Sequence, residues 1–565
     1  MITSTGDACK GASVSMLNAF RRLLCMSFAV ILLAMIVPMC AQDEVGIPLY
    51  TAAAPPVTPK LTELAEQSSL TQNGITWTFA NPVRVGRFIN GDFYVVGPVT
   101  ITEVTPRPLF GDEVKNPLEQ GDIKESLFKG KLARNGSTLN LPAVVEPGEI
   151  SKRTRRSGFD SRMSMGTYDW NQFTALPIAM KPGDSLISSI SNEPMNASFA
   201  IKSLAVLTCL AEPQPSDAFR PSFCKTSSSH IYLARNLHRD LLLKLPLPGS
   251  AAQVKLADTA DYFKGLWIDT VGYGRAMPRK SFYGPQIAER GGEASLLLQL
   301  NYSAEDKEQL LVHVVQVGID LFGLLRGGSE WPGEGGGMAG RKWIITFAGL
   351  MLGDKEMHSL SVSYPDRHFH EDDQTVFCPV EFLGKKYESG WTGAKVIWAG
   401  HYCYVNGVFM GGGHRPRKAM DHYGPVELFH PADWPSPWSE GSEGYRRGTT
   451  SGAWVGQALA ARLMQAEKNW NHEAFFAYVD RWMTEDDTVY WGAMMKNAEA
   501  KLAAATEDGK KQLQEARDKV AKANKSGTVS GALAPLVKEL WTTYRNNLPG
   551  RMGAERVPSA SETWK

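Results

Sequence analysis

Seven of the eleven histidines in this chain lie between His358 and His430, and Trp391, Trp398, Trp434 and Trp438 lie in or just after that stretch. Imidazole titrates near neutrality, so such a cluster can take and return protons. The segments Gly400-His-Tyr-Cys-Tyr404, Gly411-Gly-Gly-His-Arg-Pro-Arg417 and Asp421-His-Tyr-Gly424 put His401, Tyr402, Tyr404, His414, His422 and Tyr423 forward as acid/base or substrate-binding groups. Arg341, Arg415, Arg446 and Arg447 have the chemistry to lower a neighbouring tyrosine's pKa and to clamp a carboxylate. Taken singly, each residue also fits a hydrogen-bonded place in a helix–loop interface. The cluster is the more specific signal.

Upstream lies a second unusual stretch. Seven of the fourteen residues from Gly327 to Gly340 are glycine, and Arg341-Lys342-Trp343 follow. Glycine is costly to order, so its concentration points to a sharp bend or to close approach of a ligand to the backbone. The plain alternative is a surface connector. Glu330 and Glu334 in this loop make a candidate carboxylate pair, which inverting glycoside hydrolysis needs roughly 6.5–9.5 Å apart. Trp331, Trp343 and Trp391 offer indole faces for sugar rings.

His368-x-His370 followed by Glu371-Asp372-Asp373 has metal-ligand residue types, but no HExxH is present. No catalytic metal and no cofactor are expected; a structural divalent cation is the ion these carboxylates would suit. There is no GxSxG, Walker A or dinucleotide fingerprint, so no nucleotide partner is expected. The net charge of +1 leaves no footprint for nucleic acid.

The elements that must position these groups change character along the chain. Residues 1–42 read as a signal segment, with Arg21-Arg22, an apolar run from Leu23 to Val37, and Met16 as the initiator. Cys40 stands where a lipoprotein cysteine would. Export, to the periplasm or beyond, is expected. Residues 43–72 read as a linker. Residues 73–250 show short β-type runs, Thr76–Phe79, Phe93–Val96, Val99–Thr102, Leu186–Ile190 and Phe199–Leu210, separated by turn residues, which predicts an antiparallel β-sandwich.

From 251 to 548 the period is helical. Ser303 and Asp306 resemble a capping box before an apolar helix over Gln309–Leu325. Further helices are expected over Ile344–Leu352, Ala453–Glu467, Asn471–Met483 and Ala534–Tyr544, with Thr449, Thr450 or Ser451 as an N-cap. Successive helix pairs predict an (α/α)n toroid. Residues 496–530 read as a charged helical excursion, and 549–565 as a flexible tail. Four cysteines follow the signal segment, and 209–224 with 378–403 is the simplest of three disulfide pairings.

An exported multidomain α+β chain, with a β-sandwich before a toroid and a His/Tyr/Arg set, resembles polysaccharide lyases of the alginate and heparinoid type. Trp331–Trp343, Tyr445–Leu463 and Trp470–Trp482 are also similar to segments of large exported proteins from polysaccharide-degrading bacteria. Many toroid lyases place the β-domain after the helices, and this chain departs from that order. The resemblance implies β-elimination of a uronate-containing polysaccharide. Tyr404 or Tyr402 would be the base/acid, His401 and His414 the neutraliser or partner, and Arg341 and Arg446 the carboxylate clamps. A glycoside hydrolase using Glu330 or Glu334, and a glycan-binding surface protein without catalysis, are the competing expectations.

Overall fold

In this computed structural model the described residues are 46–114, 131–141, 157–163, 168–196, 199–224, 230–269, 284–333, 335–411, 415–416, 424–434, 445–485, 487–502, parts of 506–518, and 533–549. The signal segment lies outside them, as do residues 519–530 of the charged excursion and nearly all of the expected tail.

The first half is built by alternation. In β2 (Ile75–Arg87), Ile75, Trp77 and Phe79 point inward, the pattern breaks at Ala80-Asn81-Pro82, and Val83 and Val85 resume it. Ahead of it, β1 (Ala65–Gln72) is mostly exposed and pairs with β2 across an Asn73-Gly74 turn. Both turn residues have positive φ, as a tight hairpin requires. The expected linker is therefore strand over its last eight residues. Polar, non-alternating Ala-Glu-Gln-Ser-Ser hid this edge strand, which is held by backbone pairing.

Next come β3 (Phe93–Val96), β4 (Val99–Thr105), β5 (Leu109–Phe110), β6 (Ala133–Arg134), β7 (Ser137–Leu139), β8 (Ile178–Met180), β9 (Ser185–Asn196) and β10 (Phe199–Leu210). Eight strands form one curled sheet ordered β7-β9-β10-β3-β2-β4-β8, with β1 joined to β2. All pairs are antiparallel except β10 with β3. Trp77, Ile101, Val95, Leu186 and Leu207 centre its core.

Twelve α-helices follow among the described residues: α1 (Leu256–Phe263), α2 (Gly284–Leu298), α3 (Ala304–Arg326), α4 (Arg341–Leu352), α5 (Lys355–His358), α6 (Leu360–Ser363), α7 (His370–Gln374), α8 (Ser451–Leu463), α9 (Glu467–Trp470), α10 (Glu473–Thr484), α11 (Asp487–Leu502) and α12 (Pro535–Tyr544). The chain is thus a mixed α+β protein. Ser303 caps α3, its Oγ accepting from Asp306 N at 3.0 Å. Helix α3 is long and apolar enough to cross a membrane, yet 94% of its most apolar window is buried inside the protein. Thr450 stands at the N-cap position of α8 but makes no side-chain cap, because a π-helical turn, Arg446–Thr450, runs straight into the helix.

Between α7 and α8 the expected long loops carry small strands: β11 (Thr375–Phe377), β12 (Val380–Phe382), β13 (Lys385–Tyr387), β14 (Val396–Trp398), β15 (Cys403–Val405), β16 (Val408–Gly411) and β17 (Arg415–Pro416). They enclose a satellite core of Val380, Phe382, Ile397, Tyr402, Phe409 and Leu428.

Sheet and helices belong to one unit from Pro48 onward. Arg220, fully buried after β10, joins them: Nε donates to Asp92 at 2.6 Å and Nη2 to Asp320 of α3 at 2.6 Å. Cys209, Cys224 and Cys378 are free thiols, so neither expected disulfide is formed. Cys209 lies against Gly97 and Cys224 donates to Leu141 O at 3.7 Å. Both are held as small core side chains.

Candidate functional site

The glycine-rich loop is fastened to α7. Trp331 N donates to His368 O at 2.9 Å, Gly333 N to Asp373 Oδ2 at 2.9 Å, and Gly340 N to Glu371 Oε1 at 2.7 Å. Gly335 O accepts from His370 Nε2 at 2.8 Å and from Gln374 Nε2 at 3.1 Å. Asp372 takes Lys342 Nζ and, at 2.8 Å, Trp470 Nε1. The acidic run after His368 therefore serves the loop and the following helix. Among the described residues, no group of three His, Cys, Asp or Glu is arranged to hold a metal ion.

Burial governs the charges here. It pushes Glu371 up to about 7, against the opposing Gly340 amide. It pulls Lys342 down, against Asp372. His370 falls to about 3, so its ring is neutral, with Nε2 carrying the proton it gives to Gly335 O.

At Gly335 the loop meets two rings from elsewhere in the chain. A Cβ on Gly335 would lie 3.4 Å from His401 Cε1 and 3.6 Å from Tyr445 Cε1. The two rings meet edge to face, centroids 4.3 Å apart. Both side chains are half-buried, so each keeps access to solvent. His401 follows Gly400, whose φ of +79° turns the chain out of β14. Gly400 O accepts from Gln374 Nε2 at 2.6 Å.

Tyr402 and Tyr404 are placed differently from the expectation. Tyr402 is fully buried in the satellite core. Tyr404 packs on Phe409, ring centroids 4.7 Å apart, and burial raises its hydroxyl pKa, opposite to what a base needs. The tyrosine beside His401 is Tyr445.

Arg446 also differs from a surface clamp. Its side chain is fully buried, and its fork is bidentate on Glu485, at 2.9 and 2.8 Å. Arg481 grips Glu427 at 2.7 and 2.9 Å, Tyr490 Oη donates to Glu427 at 2.9 Å, and Trp398 N to Glu427 Oε2 at 2.6 Å. Burial would raise Glu485, but Arg446, Arg481 and Arg447 overcome it and hold it at about 2. The π-helical turn that carries Arg446 and Arg447 also presents Tyr445 at its start.

Arg341, fully enclosed, is bidentate on Asp269 at 2.7 and 3.3 Å and donates to Gly337 O and Ala339 O. Trp331 Nε1 also donates to Asp269, at 2.5 Å. Trp343 is fully buried, with Nε1 on Ser295 Oγ at 2.8 Å and its ring stacked on Trp470. Neither tryptophan faces outward, because each indole N–H found a buried acceptor. Trp391 is half-buried between His430 and Tyr490. Glu330 is buried, with Oε2 on His368 N at 3.2 Å. Glu334, His414, His422 and Tyr423 lie outside the described residues, and Arg415 is placed only by its backbone in β17.

The fold thus joins Arg341, His401 and Arg446 through one buried polar chain: loop carbonyls, Gln374, Trp398 and Glu427. Glu330, near the start of the loop, is tied to His368, whose ring bonds Asp373 at 2.9 Å. Gln374, Glu427 and Tyr445 were not among the expected site residues, and His370 was expected only as a metal-ligand type. Only Tyr445-Arg446-Arg447, a ring beside two cations, gave a local signal. No family model, curated protein or solved structure matches the chain.

Proposed function

We propose that the protein is an exported carbohydrate-active enzyme, a polysaccharide lyase acting on a uronate-containing glycan. The observation that carries this reading is the half-buried His401–Tyr445 pair packed against Gly335. In β-elimination one group removes the C5 proton, the C4–O4 bond breaks as C4=C5 forms, and a second group protonates O4. His401 is assigned the first role and Tyr445 the second. Arg446, Arg447 and Arg481 face two carboxylates, Glu427 and Glu485, and the one net positive charge of this cluster acts on the uronate carboxylate through its field. Gly335, with no side chain, lets both rings sit close against the loop backbone. The finer architecture that goes with this reading is a β-sandwich followed by an (α/α)n toroid, with α3 against α4 and α2 against α8 as its packed pairs.

The test is incubation with alginate, glucuronan and heparinoid chains. A lyase gives the ultraviolet absorbance of an unsaturated uronate. The hydrolase reading, with Glu330 or Glu334, gives new reducing ends without that absorbance. Absence of both from every uronate chain would remove the lyase.

A further inference from the structure

We propose that Gln374 is the positioning residue of this site: its amide fixes the distance between the glycine loop and the turn that carries His401. This rests on reading His401 and Tyr445 as the proton-transfer pair.

Gln374 is fully buried at the junction of α7 and β11. Nε2 donates to Gly335 O at 3.1 Å and to Gly400 O at 2.6 Å, while Oε1 accepts from Trp398 Nε1 at 3.1 Å. Its backbone carbonyl takes Ala399 N at 2.9 Å. One side chain therefore holds both strands of backbone that frame the site. Gly335 packs against both rings, and Gly400 immediately precedes His401. An amide suits this place for a specific reason. Two carbonyls need two donors from a single nitrogen, and the indole needs an acceptor on the same planar group. His370 cannot substitute, since its Nε2 reaches Gly335 O alone. Glutamate, in contrast, has one O–H when protonated and none when ionised.

The role separates from packing through two variants of the full chain. Gln374→Met keeps the volume and removes all three side-chain hydrogen bonds. Gln374→Glu keeps the shape and makes the clamp depend on protonation, beside His370, Glu371 and His401, with Glu427 bound to the neighbouring Trp398 N. Histidine ring NMR, with His401 assigned by a His401→Gln variant, reads the site without any substrate. In Gln374→Met the His401 signals and titration midpoint move while those of His358, bound to Asn469 and Ser359, stay. Elimination slows on the order of 100-fold, in kcat more than in KM, as a misplacement near 1 Å brings. In Gln374→Glu, the pH–activity curve keeps the rise set by deprotonation of His401 and gains a falling limb as the new carboxyl ionises, at a pH where the unmodified protein is still active.

A wild-type His401 titration in Gln374→Met overturns the proposal. Should Gln374→Met not fold, Gln374→Glu decides: a His401 signal identical to wild type at high pH overturns it, and one displaced only at high pH supports it. If the unmodified protein cleaves no uronate glycan, the lyase reading fails, and the His401 signals still decide the clamp.

Discussion

His401 and Tyr445 meet with ring planes at 89°, one from a turn after β14 and the other from the start of a π-helical turn. Each is fixed from behind by the same buried carboxylate. Glu427 holds Trp398 N, three residues before His401, and lies 3.5 Å from Arg446, which follows Tyr445.

If this pair transfers protons, His401→Gln and Tyr445→Phe each lower kcat for uronate elimination by about 100-fold or more. Unfolding midpoints stay close to wild type, because both side chains are half-buried. Tyr404→Phe serves as the comparison. A silent Tyr445→Phe alongside an inactive Tyr404→Phe would return the role to Tyr404.

The glycine loop predicts an uneven tolerance to alanine. At Gly340, with φ of +97°, a Cβ would lie 2.5 Å from Ala288 N, a backbone atom. Gly340→Ala is expected to cost on the order of 3 kcal/mol. At Gly337 nothing lies within 4 Å, and alanine there stays within about 0.5 kcal/mol. Urea midpoints at constant m measure both. Equal costs would show that clearance does not set the composition of this loop.

Glu371 gives a pH dependence of known sign. Burial lifts it from its ordinary 4.5 to about 7, so the folded chain holds this proton longer than the unfolded one. The associated stability is full below about 4.5 and is lost as pH rises toward about 7. Asp320, lifted to about 6, acts in the same direction. His370, held down at about 3, acts oppositely: its contribution is full above 6.5 and lost on acidification. Comparing Glu371→Gln with wild type isolates the first effect. The variant gains on wild type between pH 5 and pH 8, and a constant difference across that range refutes the assignment.

The sheet–helix joint rests on Arg220. Its removal leaves Asp320 buried without its cation, so Arg220→Ala is expected to cost about 3–5 kcal/mol. Arg220→Met combined with Asp320→Leu costs much less, because the carboxylate that remains, Asp92, is partly exposed and keeps its hydrogen bonds from Gln72 and Asn90. A double variant as weak as the single one would mean that the lost packing, not the charge, dominates.

Reductant is expected to leave the melting temperature unchanged. Cys209, Cys224 and Cys378 are free thiols, and all three should react with a thiol reagent once the chain is denatured. A reductant-sensitive midpoint would reinstate a disulfide.

Long, regular elements were legible in the sequence. Ser303 and the apolar run after it marked α3, and Phe199–Leu210 matched β10 to the residue. The three-residue strands from β11 to β15 were not legible, since so short a run carries no period. The site was half legible. His401 stood out by type, and its neighbours Tyr402 and Tyr404 looked equivalent to it. Side-chain direction in and before β15 sent both tyrosines to the satellite core. Tyr445 came from a distant segment that no spacing rule connects to His401. Trp331, Trp343 and Arg446 have types that serve ligands and interiors equally well, and burial decided for the interior.

The three amide–carboxylate and amide–carbonyl ties of α7 to the glycine loop have a kinetic consequence. Gly340 N reaches Glu371 across 31 residues, and Gly333 N reaches Asp373 across 40. Half glycine, the loop has little conformational preference of its own. Its order rests on contacts to α7 and on its junction with α4, so its opening is coupled to theirs. Hydrogen exchange at Gly333 and Gly340 should therefore follow the release of α7, and a loop whose composition suggests a hinge should behave as a seal.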